Sequence, residues 1–141
     1  MTIELAVEKS VNVRAPVATV WGTITDLERI PRWLNGVKVE TTWKVGEPIS
    51  FTGDWQGKPL EERATILHFE PEKALQYGQW RGRATSPKNQ SVVTFTVAPH
   101  GNETVVFVRH DHLATDVDRK HADFHWGVTL VVLRDVIEGR K

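Results

Sequence analysis

The sequence predicts an α+β fold, a seven-stranded antiparallel sheet curved around one long C-terminal helix, with two short helices after the first strand. Three observations predict it. The chain opens on alternating apolar residues, its middle is a series of apolar runs parted by Gly- and Pro-rich turns, and it closes on a largely apolar helical stretch, Asp123 to Arg140. In that last stretch Trp126, Leu130, Leu133 and Ile137 share one stripe, and Val128, Val132 and Val136 form a second. A helix apolar on two sides needs a large partner surface, and the strands supply it.

Taken in order, Thr2 to Val13 alternates as a half-buried strand. Pro16 opens a first helix carrying Val17, Val20, Trp21 and Ile24 at helical spacing. Asp26 is placed to cap a second short turn, Leu27 to Ile30, which Pro31 is expected to end, leaving Trp33-Leu34-Asn35-Gly36 as a loop with two large apolar residues in it. Six strands follow at Val37–Trp43, Ile49–Trp55, Leu60–Phe69, Ala74–Gly82, Ser91–Ala98 and Thr104–Leu113, joined by hairpin-type turns such as Gly46-Glu47-Pro48 and Pro99-His100-Gly101-Asn102. Asp116 or Asp118 is expected to cap the final helix and Gly139 to close it.

At 141 residues the chain has the length of one domain, and a single domain spanning 1–141 is expected. With 18 Lys plus Arg against 18 Asp plus Glu and no basic block, a nucleic-acid partner is not expected. No run reaches the length of a membrane span, so no membrane insertion is expected, and the first residues lack a basic stretch followed by an apolar one, which points to the cytoplasm. Absence of cysteine removes disulfides, thiolate metal sites and cysteine nucleophiles.

The segments Pro16-Val17-Ala18-Thr19-Val20-Trp21, Thr25-Asp26, Pro31-Arg32-Trp33-Leu34, Phe69-Glu70-Pro71, Val97 to Thr104 and His125-Trp126 with Leu130 and Leu133 resemble, in that order and over nearly the whole chain, the helix-grip superfamily. This group (SRPBCC) takes in START domains, polyketide cyclases and pollen-allergen-like proteins. The C-terminal pattern is most similar to the branch related to the heat-shock-protein ATPase activator, except that His125 stands where a Gly usually precedes the Trp. The resemblance implies a helix-grip fold with an internal cavity, and it leaves the chemistry open.

The leading expectation is therefore a binder of a hydrophobic or aromatic small molecule in a cavity between sheet and C-terminal helix, with no cofactor. Period-two alternation turns Ile49, Phe51, Gly53 and Trp55 inward, as it does Val93, Phe95 and Val97, and Val106, Val108, His110 and His112. Trp33, Phe51, Trp55, Tyr77, Phe95 and Trp126 are the candidate walls and His110 the candidate polar anchor. The facing of Leu60–Phe69 and Ala74–Gly82 stays ambiguous because both faces carry large apolar residues. One alternative is a cyclase or dehydratase using His110 or Tyr77 as general acid or base. Another is a protein-interaction module of chaperone-activator type. His110, His112, His121 and His125 could in number supply a zinc site, but no carboxylate at a diagnostic offset joins them and no metal is expected. Arg81-Gly82-Arg83 reads as a solvated turn, and the valine stripe Val128, Val132, Val136 motivates a homodimer.

Overall fold

The computed structural model describes residues 5–55, 57–80 and 90–139. The elements run β1 (Val7–Val13), α1 (Val17–Thr25), α2 (Ile30–Trp33), β2 (Lys38–Glu40), β3 (Pro48–Trp55), β4 (Lys58–Glu70), β5 (Ala74–Trp80), β6 (Gln90–His100), β7 (Glu103–Asp111) and α3 (Asp116–Glu138). The strands form one antiparallel sheet in the order β1-β7-β6-β5-β4-β3-β2. Because β1 and β2 lie at opposite edges, the α1–α2 connection carries the chain across one face of the sheet, and α3 returns over the same face against β1.

That inner face holds the core. Val7 and Val13 of β1, Ala64 and Ile66 of β4, Leu75 and Tyr77 of β5, Val93, Phe95 and Val97 of β6, and Val106 and Val108 of β7 are all buried there. The facing of β4 is settled by a bulge between Ile66 and His68. The extra residue, Leu67, is turned out and exposed, so Ile66 and Phe69 both reach the core although they are three apart. A bulge explains why both faces of this strand read as apolar.

Several boundaries differ from the sequence reading. Pro31 lies inside the first turn of α2, where its missing N–H costs nothing, and does not end a turn; Trp33 is the last residue of that helix, not part of a loop. The strand expected over Val37–Trp43 stops at Glu40, and Trp43 takes a left-handed φ of 59°. The N-cap of α3 is Thr115, whose hydroxyl accepts from the Asp118 N–H at 3.1 Å; Asp116 and Asp118 instead place negative charge in the first turn. His112 does not continue the inward row of β7. The strand ends at Asp111, and His112, at φ 58°, is turned to solvent. Gly139 does close α3, in the left-handed conformation that a glycine adopts without strain. Residues 2–4 of the first expected strand, residues 81–82 of the fifth and the Arg81-Gly82-Arg83 run lie outside the described residues.

Trp126, Leu130 and Leu133 of α3 are buried, and Ile137 is half-buried beside them. The valine stripe behaves otherwise. At about 100° per residue, positions four apart drift by about 40°. Val132 and Val136 therefore come round toward the core and pack against it, while Val128 is left exposed. The apolar line facing solvent is instead Val117, Phe124, Val128 and Val131.

Candidate functional site

Between the inner face of β3, β5 and β6 and the layer made by α1, α2 and the first half of α3 lies a hollow of about 30 Å³. A buried water needs roughly 10–15 Å³ on this measure, so the space exceeds one water and is smaller than a ring-sized ligand. Among the described residues its wall is Ile24, Ile30, Trp33, Leu34, Val39, Trp43, Ile49, Phe51, Leu75, Tyr77, Phe95 and Trp126. Large flat rings meeting at open angles leave such space. Phe95 stands edge-on to both Trp126 and Trp33, with centroids 5.4 and 6.2 Å away, and Phe51 is tilted at 46° to Tyr77.

Two of the tryptophans are held by a helix end. The last carbonyls of a helix have no partner within it. In α1 the Thr23 carbonyl accepts the Trp33 indole N–H at 3.0 Å and the Thr25 carbonyl accepts that of Trp43 at 3.0 Å. The C-terminal end of α1 thus fixes two rings of the wall. Trp126 is fixed from behind, its N–H donating to His110 Nδ1 at 3.0 Å. An indole nitrogen only donates, so Nδ1 must be an acceptor; in the neutral ring the proton then sits on Nε2, which lies 3.0 Å from Ser91 Oγ.

This arrangement corrects the role expected of His110. Its side chain does point inward, but the ring stands behind Trp126, both nitrogens are engaged by the protein, and it does not border the hollow. Nor is Ser91–His110 a nucleophile and base, since Nε2 carries the proton it would have to receive. Tyr77 does border the hollow. Burial, and secondarily the nearby negative charge of Glu62, push its phenol well above the usual range, so it stays protonated. Glu62 accepts a hydrogen bond from Gln79 Nε2 on the same face.

Of the seven candidates, Trp33, Phe51, Tyr77, Phe95 and Trp126 are brought together around one space. The backbone of Trp55 ends β3, and its side chain lies outside the described residues. Sequence reasoning missed Trp43 as a wall residue because it was taken for a strand end. It also missed Ile24, Ile30, Val39, Ile49 and Leu75, whose burial alone does not separate core from wall. Among the described residues no group of three or more His, Cys, Asp or Glu is placed to hold a metal ion, and no helix is long and apolar enough to cross a membrane.

Comparison with known proteins is consistent with this architecture. The family model described as Activator of Hsp90 ATPase homolog 1-like protein matches residues 14–138. No curated protein matches the chain. Among solved structures, that of ChR145 from Cytophaga hutchinsonii is 30% identical with a TM-score of 0.82, the match covering 99% of this chain and 97% of that one. CalU16 from Micromonospora echinospora is 21% identical over 96% of this chain and 76% of its own, with a TM-score of 0.76. The Aha1 dimer from Colwellia psychrerythraea is 17% identical over 94% of this chain and 96% of its own, with a TM-score of 0.77. At those two identities the likeness is one of fold, the seven-stranded helix-grip architecture.

Proposed function

This chain belongs to the Activator of Hsp90 ATPase homolog 1-like family, and from that premise we propose that it binds a small, uncharged hydrophobic or aromatic molecule in the hollow beneath Trp33. The observation that carries the reading is the composition of the wall. Eleven of the twelve described residues in it are Ile, Leu, Val, Phe or Trp, contributed by helices and strands from both ends of the chain. A ring-sized guest requires the wall to move. The wall's shortest elements are α2 and β2, a four-residue helix and a three-residue edge strand joined through Asn35 and Gly36, both in left-handed conformations. Displacement of Leu34 on that segment opens the hollow outward.

The cyclase or dehydratase alternative needs a group that moves a proton at the bound molecule. With His110 engaged on both nitrogens and Tyr77 held protonated, binding without chemistry is the better-supported reading. Native mass spectrometry of gently purified protein tests it: a co-purified small molecule is expected, its occupancy lowered in Phe51→Ala. A protein that emerges empty and takes up no apolar probe contradicts the reading.

A second reading, compatible with the first, is a homodimer through the outer side of α3. Val117, Phe124, Val128 and Val131 are exposed there at steps of seven, four and three residues, the spacing of a helix–helix seam, and Phe124 is 75% exposed. The Aha1 relative from Colwellia psychrerythraea is itself a dimer. Sedimentation should give a dimer that Phe124→Asp converts to monomer; a monomer at high micromolar concentration rules it out.

A further inference from the structure

The hollow has a hydrogen-bonding specificity that can be read from the polar side-chain atoms of the described residues in its wall. Four of the twelve residues carry one: Trp33, Trp43, Tyr77 and Trp126. The indole N–H groups of Trp33, Trp43 and Trp126 donate to the Thr23 carbonyl, the Thr25 carbonyl and His110 Nδ1. The Tyr77 hydroxyl has no hydrogen-bond partner among the described residues, although the residue is buried, 8% exposed. A buried polar group without a partner costs free energy, and native structures rarely leave one so unless water or a ligand completes it.

We propose that the Tyr77 hydroxyl is the single polar recognition point of the hollow and selects a neutral aromatic molecule bearing one hydrogen-bond acceptor, such as an aryl ketone. This deepens the binding function proposed above and rests on it. The phenol keeps its proton because burial and the Glu62 carboxylate both oppose its ionisation, so it offers a donor. Among the described residues the wall contains no Lys, Arg or His to neutralise an anion, and an unpaired ion of either sign is costly in apolar surroundings. Phe51, 5.7 Å from the Tyr77 ring, and Phe95, edge-on to Trp33 and Trp126, offer ring faces and edges to an aromatic guest.

Acetophenone and α-methylstyrene, which differ in shape by little more than a carbonyl oxygen exchanged for a methylene, are the probes. Titrated into wild type and Tyr77→Phe, they should show a preference for acetophenone of roughly fivefold to tenfold in wild type, the scale of one net hydrogen bond. The preference should vanish in Tyr77→Phe while α-methylstyrene affinity is kept. Equal binding of both probes to both proteins overturns the role of Tyr77 and leaves the hollow a binding site. Binding of neither probe overturns the binding function itself, and this inference with it. If Tyr77→Phe does not fold, the infrared carbonyl stretch of acetophenone bound to wild type decides: a shift below its value in hydrocarbon solvent is expected, and an unshifted band overturns the proposal.

Discussion

The two halves of the core beneath α3 are built from different residues and end differently. Along the C-terminal half, Leu130 and Leu133 are 2% exposed or less, as are Val13, Val106 and Val108 on β1 and β7, the strands that α3 packs against. Under the N-terminal half, Trp126 meets Phe51, Tyr77, Phe95, Trp33 and Trp43, and a hollow remains. Both halves are apolar, so hydrophobicity does not distinguish them; shape does. The hollow lies where six rings, three of them held through their indole N–H groups, meet six aliphatic side chains.

The largest effect expected from this contrast is at Leu133, which is fully buried in the closed half. Leu133→Ala should destabilise by about 2–5 kcal/mol in urea denaturation, since nothing nearby has room to relax into the gap. A loss under about 1 kcal/mol would break the comparison. Next in size is the response to added bulk. Val108→Leu in the closed half should cost about 1–3 kcal/mol by overpacking, whereas Val39→Leu on the wall of the hollow should be near neutral, within about 1 kcal/mol. Equal penalties at the two sites would show that the halves are packed alike.

The smallest effect concerns pH. Tyr77 is the chain's single tyrosine, so tyrosinate absorbance reports this residue alone. Its phenol is raised above the ordinary value of 10.0 by burial and by Glu62. Folded protein therefore keeps a proton that the unfolded chain releases above that pH. The associated stability is fully present below pH 10.0 and is lost as pH rises past it. Tyr77→Phe should change neutral-pH stability by less than about 1 kcal/mol and should flatten the alkaline decline. A phenol titrating at its ordinary value in folded protein would place the ring in solvent.

The order of elements and the inward rows of β3, β6 and most of β7 were legible because alternation and turn chemistry are local. Gly139 was readable for the same reason. What was not legible depends on geometry that joins distant residues. Leu67 gives no sign in the sequence that it is an extra residue in a bulge. Trp43 reads as a strand residue until its indole is seen on the Thr25 carbonyl. His110 was rightly turned inward, yet only the Trp126 N–H against Nδ1 reveals that the ring is a support and not an anchor. The outward line on α3 was displaced by the drift of four-residue steps around the helix, which moved the exposed residues from Val132 and Val136 to Phe124 and Val131.

The central claim, that the space beneath Trp33 admits a small apolar guest, is tested most directly by following indole N–H resonances while α-methylstyrene is added to wild-type protein. Trp33, Trp43 and Trp126 border the hollow, and Trp21 packs on Phe69 outside its wall, so the chain holds its own control. Saturable shifts of the first three with Trp21 unmoved are the predicted result. No saturable shift, or shifts confined to amides around Phe124, Val128 and Val131, would contradict it and turn attention to the outer side of α3.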